Sequence, residues 1–243
     1  MSIINQIKYV FIWQFHKNSG YLIFFAILQT ILALGIVIGF NYLLSNPGQN
    51  EVLFLATGAP TIVLITTGLV MLPQQNSSAK TEGYIDFMRT WPINRGAIMI
   101  ADTIIWLLIT IPAIGISSIF AHFVYQPGFD VSWTILPALL LTALTSIGIG
   151  YGFSFVLPQN ATMMLTQLLV FGSLMFSPIN FPMENLPSLL QSIHRVLPLY
   201  SMAEVVRGSL AQSTFTVDFS HYIILSAWCL LGYITSIKIL NRN

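Results

Sequence analysis

Few side chains in this sequence combine the type and the spacing that chemistry needs. Gly115-Ile116-Ser117-Ser118 lies in one long apolar run and His221 near the start of another, the residue types of a nucleophile and its base. The same small residues also make an ordinary packing surface where two membrane helices approach closely. Asp102 is the only acidic residue inside a long apolar run, where a charge at mid-bilayer would cost about 2.5–3.5 kcal/mol on insertion scales. With a helix beginning near Asn94, it falls in the first turns, beside Arg89 or Arg95 at the membrane surface. His16, His122, His194 and His221 stand singly, none spaced from another His, Cys or Glu as metal ligands are, so no metal site and no catalytic residue is expected. No Gly-Lys pair occurs, which removes the phosphate-cradling loop of nucleotide hydrolases. Gly148-Ile149-Gly150-Tyr151-Gly152 neither follows a strand nor opens a soluble helix, and reads as helix packing or a flexible point. The lone Cys229 reads as a buried packing residue.

The elements holding these residues are set by hydrophobicity. Charged residues make up only 7% of the chain, against roughly a quarter of an ordinary soluble domain. Apolar runs cover residues 21–44, 52–72, 97–124, 132–157, 161–181 and 219–237, each near or above the roughly 20 residues that cross a bilayer as a helix. The runs are continuous rather than alternating, so an all-α fold with six transmembrane helices is expected, and not a barrel. Gln29, Asn41, Thr66, Thr67, Thr142, Thr145, Ser146, Asn160, Thr166, Gln167, Ser173 and Asn180 are the neutral polar residues available to face a pathway.

Basic residues resist translocation, and they fall unevenly. With the N-terminus inside, Lys8, Lys17, Lys80, Arg89, Arg95, Lys238 and Arg242 are cytoplasmic and only Arg195 and Arg207 are outside. The short outer loops, 46–51 and 126–131, hold no basic residue. Both termini are therefore expected in the cytoplasm. No basic cluster suits nucleic acid.

Three segments are more than connectors. Residues 2–18 carry apolar side chains at helical spacing and read as an amphipathic helix on the headgroups, with a corner at Asn18, Ser19 and Gly20. Residues 80–91 read as a short cytoplasmic helix with a stripe of Tyr84, Phe87, Met88 and Trp91 beside Lys80, Glu82, Asp86 and Arg89, stopped at Trp91-Pro92. Residues 182–212, punctuated by Pro182, Pro187 and Pro198, read as two short amphipathic helices that lie on the outer surface or dip in as a re-entrant hairpin. In the second of these, Glu204 and Arg207 are spaced for an ion pair.

The arrangement resembles the ABC-2 type transporter permeases, the membrane subunits of ATP-binding-cassette exporters. Two segments carry the resemblance. Lys80-Thr81-Glu82-Gly83-Tyr84 through Trp91-Pro92-Ile93-Asn94-Arg95 is similar to the family's Glu-x-Gly-Thr…Leu…Pro-x-x-Arg loop, with Tyr84 where threonine is usual. Phe176-Ser177-Pro178 through Leu197-Pro198-Leu199-Tyr200 and Glu204-Val205-Val206-Arg207-Gly208 is similar to its outer hairpin. The resemblance implies an interfacial elbow helix at residues 1–19 and a coupling helix at 80–91, with Lys80, Glu82, Gly83, Asp86, Phe87, Arg89 and Pro92 meeting a separate ATPase. It implies re-entrant helices at 182–212, with Pro182, Pro187, Pro198, Glu204 and Arg207 at the outer gate. It further implies no cofactor in this chain, ATP and Mg held by the partner ATPase, a second permease copy or a related permease, and the cell membrane as location. A drug, an antimicrobial peptide or another amphipathic cargo is expected; a polysaccharide or lipid is the alternative within the family, and an intramembrane serine protease the alternative outside it.

Overall fold

The computed structural model describes residues 2–43 and 48–240, so residue 44 of the first expected span, Asn46 of the first loop and Arg242 lie outside it. Among the described residues the chain is all-helical, with no strand. It begins with α1 (Ile3–Leu43), then α2 (Gln49–Thr66), a π-helical turn (Thr67–Met71) and α3 (Leu72–Thr81), which run on as one rod. There follow α4 (Tyr84–Arg89), α5 (Arg95–Tyr125), α6 (Ile135–Val156) and α7 (Gln159–Phe176). A 3-10 turn (Met183–Asn185), α8 (Ser188–His194), α9 (Pro198–Leu210) and α10 (Phe219–Leu240) complete it. Among the described residues, five stretches are long and apolar enough to cross a bilayer: Ser19–Gly39, Gln49–Thr81, Arg95–Tyr125, Ile135–Val156 and Phe219–Leu240.

The expected fifth span is not among those five. Helix α7 begins with Gln159 and Asn160 and carries Thr162, Thr166 and Gln167, which dilute its hydropathy. At 1.5 Å per residue its 18 residues cover about 27 Å, just short of the hydrocarbon thickness. It stops at Phe176 because Ser177 precedes Pro178 and adopts an extended conformation (φ −93°, ψ 137°). Beyond it, Ser177, Pro178, Ile179 and Asn180 turn into the bundle and are buried.

The expected corner at Asn18, Ser19 and Gly20 is helical throughout. One glycine costs a helix only about 1 kcal/mol, and the turns before it are held by packing. Val10 packs with Ile98 and Ala101, Gln14 is buried, and Gln6 Oε1 accepts a 2.8 Å hydrogen bond from the Asn94 backbone N–H at the start of α5. The expected helix over 80–91 is divided. Lys80 and Thr81 finish α3, Gly83 turns the chain at φ +74°, where a side chain is strained, and α4 itself is Tyr84–Arg89.

The α2–α3 rod is the centre of the bundle, with 89% of its most apolar window buried, against 28% for the window in α1 and 17% for α10. Helices α1 and α10 leave Ile23, Ile27 and Ile31, and Ile223, Leu230 and Ile234, exposed, the surface a bilayer covers. Glycine lets α6 press against the rod. A Cβ at Gly150 would stand 1.9 Å from the Gly68 carbonyl oxygen, and one at Gly68 2.3 Å from Ser146 Oγ. On the other side of α6, a Cβ at Gly232 of α10 would meet the Gly148 carbonyl carbon at 2.4 Å. The glycine run of α6 is thus a packing surface, as its composition suggested.

Six of the twelve polar residues expected to face a pathway, Gln29, Thr66, Thr67, Thr145, Ser146 and Thr166, instead join helices. Gln29 of α1 is fully buried: its amide N–H donates to Thr67 Oγ1 at 2.8 Å and its carbonyl accepts from Thr66 Oγ1 at 3.0 Å, at the start of the π turn. Ser146 Oγ donates to Leu64 O at 3.0 Å and Thr145 Oγ1 to Leu225 O at 3.2 Å, tying α6 to its two neighbours. Thr142, Thr166, Ser173 and Asn180 are buried as well, whereas Asn160 and Gln167 are exposed; the Asn41 side chain lies outside the described ones. Polar side chains in lipid seek one another because no water is present to satisfy them.

Replacing Gly150 by valine drives methyl groups into the Gly68 backbone, which cannot give way. Thermal unfolding in detergent should show a loss of about 3 kcal/mol or more, whereas Gly115→Ala, with open space around the new Cβ, should change stability by no more than about 0.5 kcal/mol.

Candidate functional sites at the two ends of the bundle

At the end where α1 starts, α3 runs out through a polar segment into the Glu82–Gly83 turn and α4. Lys80 Nζ donates to Phe155 O at 3.0 Å, close to the last turn of α6, where a cation complements unpaired carbonyls. Thr81 Oγ1 donates to Gln159 Oε1 at 3.1 Å and Gln159 Nε2 to Ser78 Oγ at 3.3 Å, fixing the first turn of α7 to α3. Helix α4 is fastened by aromatics rather than by length. Trp13 stacks on Tyr84 with ring centres 5.9 Å apart and meets Trp91 edge-on at 4.8 Å, and Phe87 meets Trp91 at 5.7 Å. Lys17 Nζ sits 3.4 Å from the Tyr84 ring centre, a cation–π contact. Burial lowers the Lys17 ammonium, with the Glu82 charge opposing it.

The predicted residues of this end therefore divide. Tyr84, Met88 and Trp91 of the expected stripe face the protein together with Ile85, which the stripe did not include, while Phe87 of that stripe is exposed with Lys80, Glu82, Gly83, Asp86 and Pro92 on one short projection. Arg89 closes α4. Asp102 accepts from the Tyr151 hydroxyl of α6, not from the arginine at the membrane surface that its position suggested; Arg95 Nη1 donates instead to Met88 O at 3.0 Å.

At the opposite end, Pro182 precedes the 3-10 turn, Pro187 caps α8 and Pro198 begins α9, each where a missing N–H costs nothing. Helix α8 leaves Leu189 and Ile193 exposed. Helix α9 is the reverse, with Met202, Val205 and Val206 fully buried among α2, α6 and α10. Arg207 is only 1% exposed. Its guanidinium pairs with Glu204 one turn earlier, donates to Ile179 O and lies 3.5 Å from the Phe54 ring centre of α2. Burial lowers Arg207 to about 10, with Glu204 opposing, so it stays charged at neutral pH. The i,i+3 spacing pointed to a local pair; the structure makes it the clamp between α9, α2 and the segment entering from α7. The loop between α5 and α6 holds the end of α9, with Asp130 N–H donating to Leu210 O at 3.0 Å and Ser132 N–H to Ser209 O at 2.8 Å. A cleft of about 560 Å³ opens beside this clamp, lined by Glu51, Phe54, Asn180, Glu184, Tyr200, Glu204 and Phe215 among others.

The serine–histidine reading finds no support in side-chain partners. Ser117 Oγ donates to Ile114 O in its own helix at 3.2 Å, and His221 Nδ1 instead bonds Ser201 Oγ at 3.0 Å. Ser201 is fully buried, so this bond fastens α9 to α10. Sequence reading missed Ser201, Phe54 and Trp13, whose signals are no more than a hydroxyl and aromatic rings in apolar runs.

A buried charge whose partner is removed is costlier than no charge at all. Glu204→Gln should lower stability by about 3–5 kcal/mol in denaturant or thermal unfolding, and adding Arg207→Met should recover most of that loss. An equal loss in the single and double variants would show the pair is not the clamp.

The family model described as ABC-2 type transporter matches residues 6–211, which takes in both ends of the bundle. No curated protein matches the chain significantly.

Proposed function

Because the chain belongs to the ABC-2 type transporter family, we propose that it is the permease subunit of an ATP-binding-cassette exporter, driven by a separate ATPase subunit that holds the ATP and Mg. The observation that carries this reading is the projection at residues 80–92: its charged face and Phe87 are exposed while Tyr84 and Trp91 are locked onto α1 through Trp13. A push on such a projection passes into α1, α3 and α5 instead of bending a loop. The ATPase-coupling residues are Lys80, Glu82, Gly83, Asp86, Phe87, Arg89 and Pro92.

The distribution of basic residues puts this projection and both termini in the cytoplasm and the proline-punctuated segment outside, in a cell membrane. In this reading α7 is a sixth, short span completed by neighbouring protein, and residues 182–212 form a re-entrant cap. A second permease copy or a related permease completes the pathway, with the exposed stripe of Met164, Leu168, Phe171 and Met175 on α7 turned to it or to lipid. The outer cleft combines the carboxylates of Glu51 and Glu184 with Phe54, Tyr200 and Phe215, a lining that suits an amphipathic cargo bearing positive charge, such as a drug or an antimicrobial peptide. A polysaccharide or lipid cargo has no comparable support.

Glu82 and Asp86 are exposed, so reversing both charges leaves the buried core of the bundle untouched. Glu82→Lys with Asp86→Lys should abolish capture of the ATPase subunit by tagged permease and stop ATP-dependent transport, while the variant still unfolds in one cooperative thermal transition. Full capture and full transport would remove this projection from the mechanism.

A further inference from the structure

Between α1, α3, α4, α5 and α6, just inside the projection, lies a cavity of about 70 Å³. A water needs about 10–15 Å³ of such space, so there is room for a few water-sized occupants. Its lining is mixed, with several polar side chains set among apolar ones. Gln14 of α1, Gln75 and Asn76 of α3, Tyr84 of α4, Asp102 of α5 and Tyr151 of α6 all border it. Gln14 is 4% exposed, and Gln14 Oε1, Gln75 Oε1, Tyr84 Oη and Asn76 Nδ2 are buried without a hydrogen-bond partner. Buried polar groups are almost always partnered, so four orphans around one cavity point to an occupant.

We infer that this cavity is a binding site for a single alkali-metal cation, held by the Asp102 carboxylate with Gln14, Gln75 and Tyr84 supplying neutral oxygens. The carboxylate takes a hydrogen bond from Tyr151, has the Trp106 indole beside it, and pairs with no cationic side chain among the described residues. An uncompensated charge there is costly. A proton on Asp102 would remove the charge and could partner only one of the three oxygens; a cation satisfies all of them together. Charge selects the valence, because one carboxylate neutralises one positive charge, whereas a divalent ion would keep a net charge here and calcium takes six to eight oxygens. Asn76 Nδ2 and the Tyr84 O–H, the orphaned donors, would be met by water in the remaining space. The ion thereby ties α4 to the helices that would move with it, a role the transport reading neither requires nor implies.

The test uses the full-length chain purified in detergent, with thermal unfolding followed in sodium, potassium, lithium and choline chloride at constant ionic strength. One alkali cation should raise the unfolding temperature saturably above choline, since a ligand of the folded state stabilises it, and Asp102→Asn should abolish the difference. Tyr84→Phe, which removes one oxygen, should raise the half-saturating concentration by about tenfold or more; it serves as the deciding variant if Asp102→Asn does not fold. Identical unfolding in all four salts, the result for a cavity holding water alone, overturns the site. So does a cation effect unchanged in the variants. Capture of the ATPase by wild-type permease in choline would leave the transport reading standing in either case.

Discussion

The Gly68 carbonyl and the Cα of Gly150 are so close that no side chain fits between them, and the rest of the bundle is arranged around that contact. Hydrocarbon offers no hydrophobic reward for joining two apolar helices, so what holds them is close van der Waals packing and a few hydrogen bonds. Glycine on both helices brings α6 onto the rod, and Gly148 with Gly232 brings α10 onto α6. Gln29, clasping Thr66 and Thr67, adds α1 at the same level. The rod changes to π-helical geometry where these elements meet, a local distortion that often accompanies function. From there α3 continues to the projection at one end, while α2 runs back to Phe54 and the Arg207 clamp at the other.

The two ends solve the same problem by different means. Near the start of α1, a six-residue helix too short to be stable alone is held by stacked rings and a lysine over a tyrosine face, an arrangement that leaves its charged side outward. At the far end the chain commits a full positive charge to the interior and surrounds it with Glu204, a backbone carbonyl and a phenyl ring. The first arrangement presents a surface, and the second locks one. A rigid rod joining them lets a force applied at one end be felt at the other, which is the requirement of a pump whose fuel is consumed outside the bilayer.

Much of this was legible in the residues. Continuous apolar runs specified helices, Asn94 marked the start of α5, and Pro187 and Pro198 cut the chain where the structure cuts it, whereas the helix expected to run to residue 181 stops before Pro178. The i,i+3 spacing identified Glu204 and Arg207 as a pair, but burial depends on what packs over them, and Phe54 comes from a helix 150 residues earlier. The corner at Asn18–Gly20 looked plausible because glycine weakens a helix; contacts from α5 outweighed that local cost. Neutral polar residues in apolar runs fit equally a channel lining and glue between helices, and only the partners of Gln29, Thr145 and Ser146 decide for glue. The π turn has no sequence signal, since it arises from two helices meeting.

The central claim is that this bundle moves only when a separate nucleotide-hydrolysing subunit works on it. Affinity purification from native membranes followed by measurement of ATP hydrolysis tests this most directly. The account predicts a stable complex in which an ATP-binding-cassette subunit accompanies the chain and hydrolyses ATP. A homogeneous preparation with no such subunit, still transporting cargo when sealed into vesicles without ATP, would contradict it.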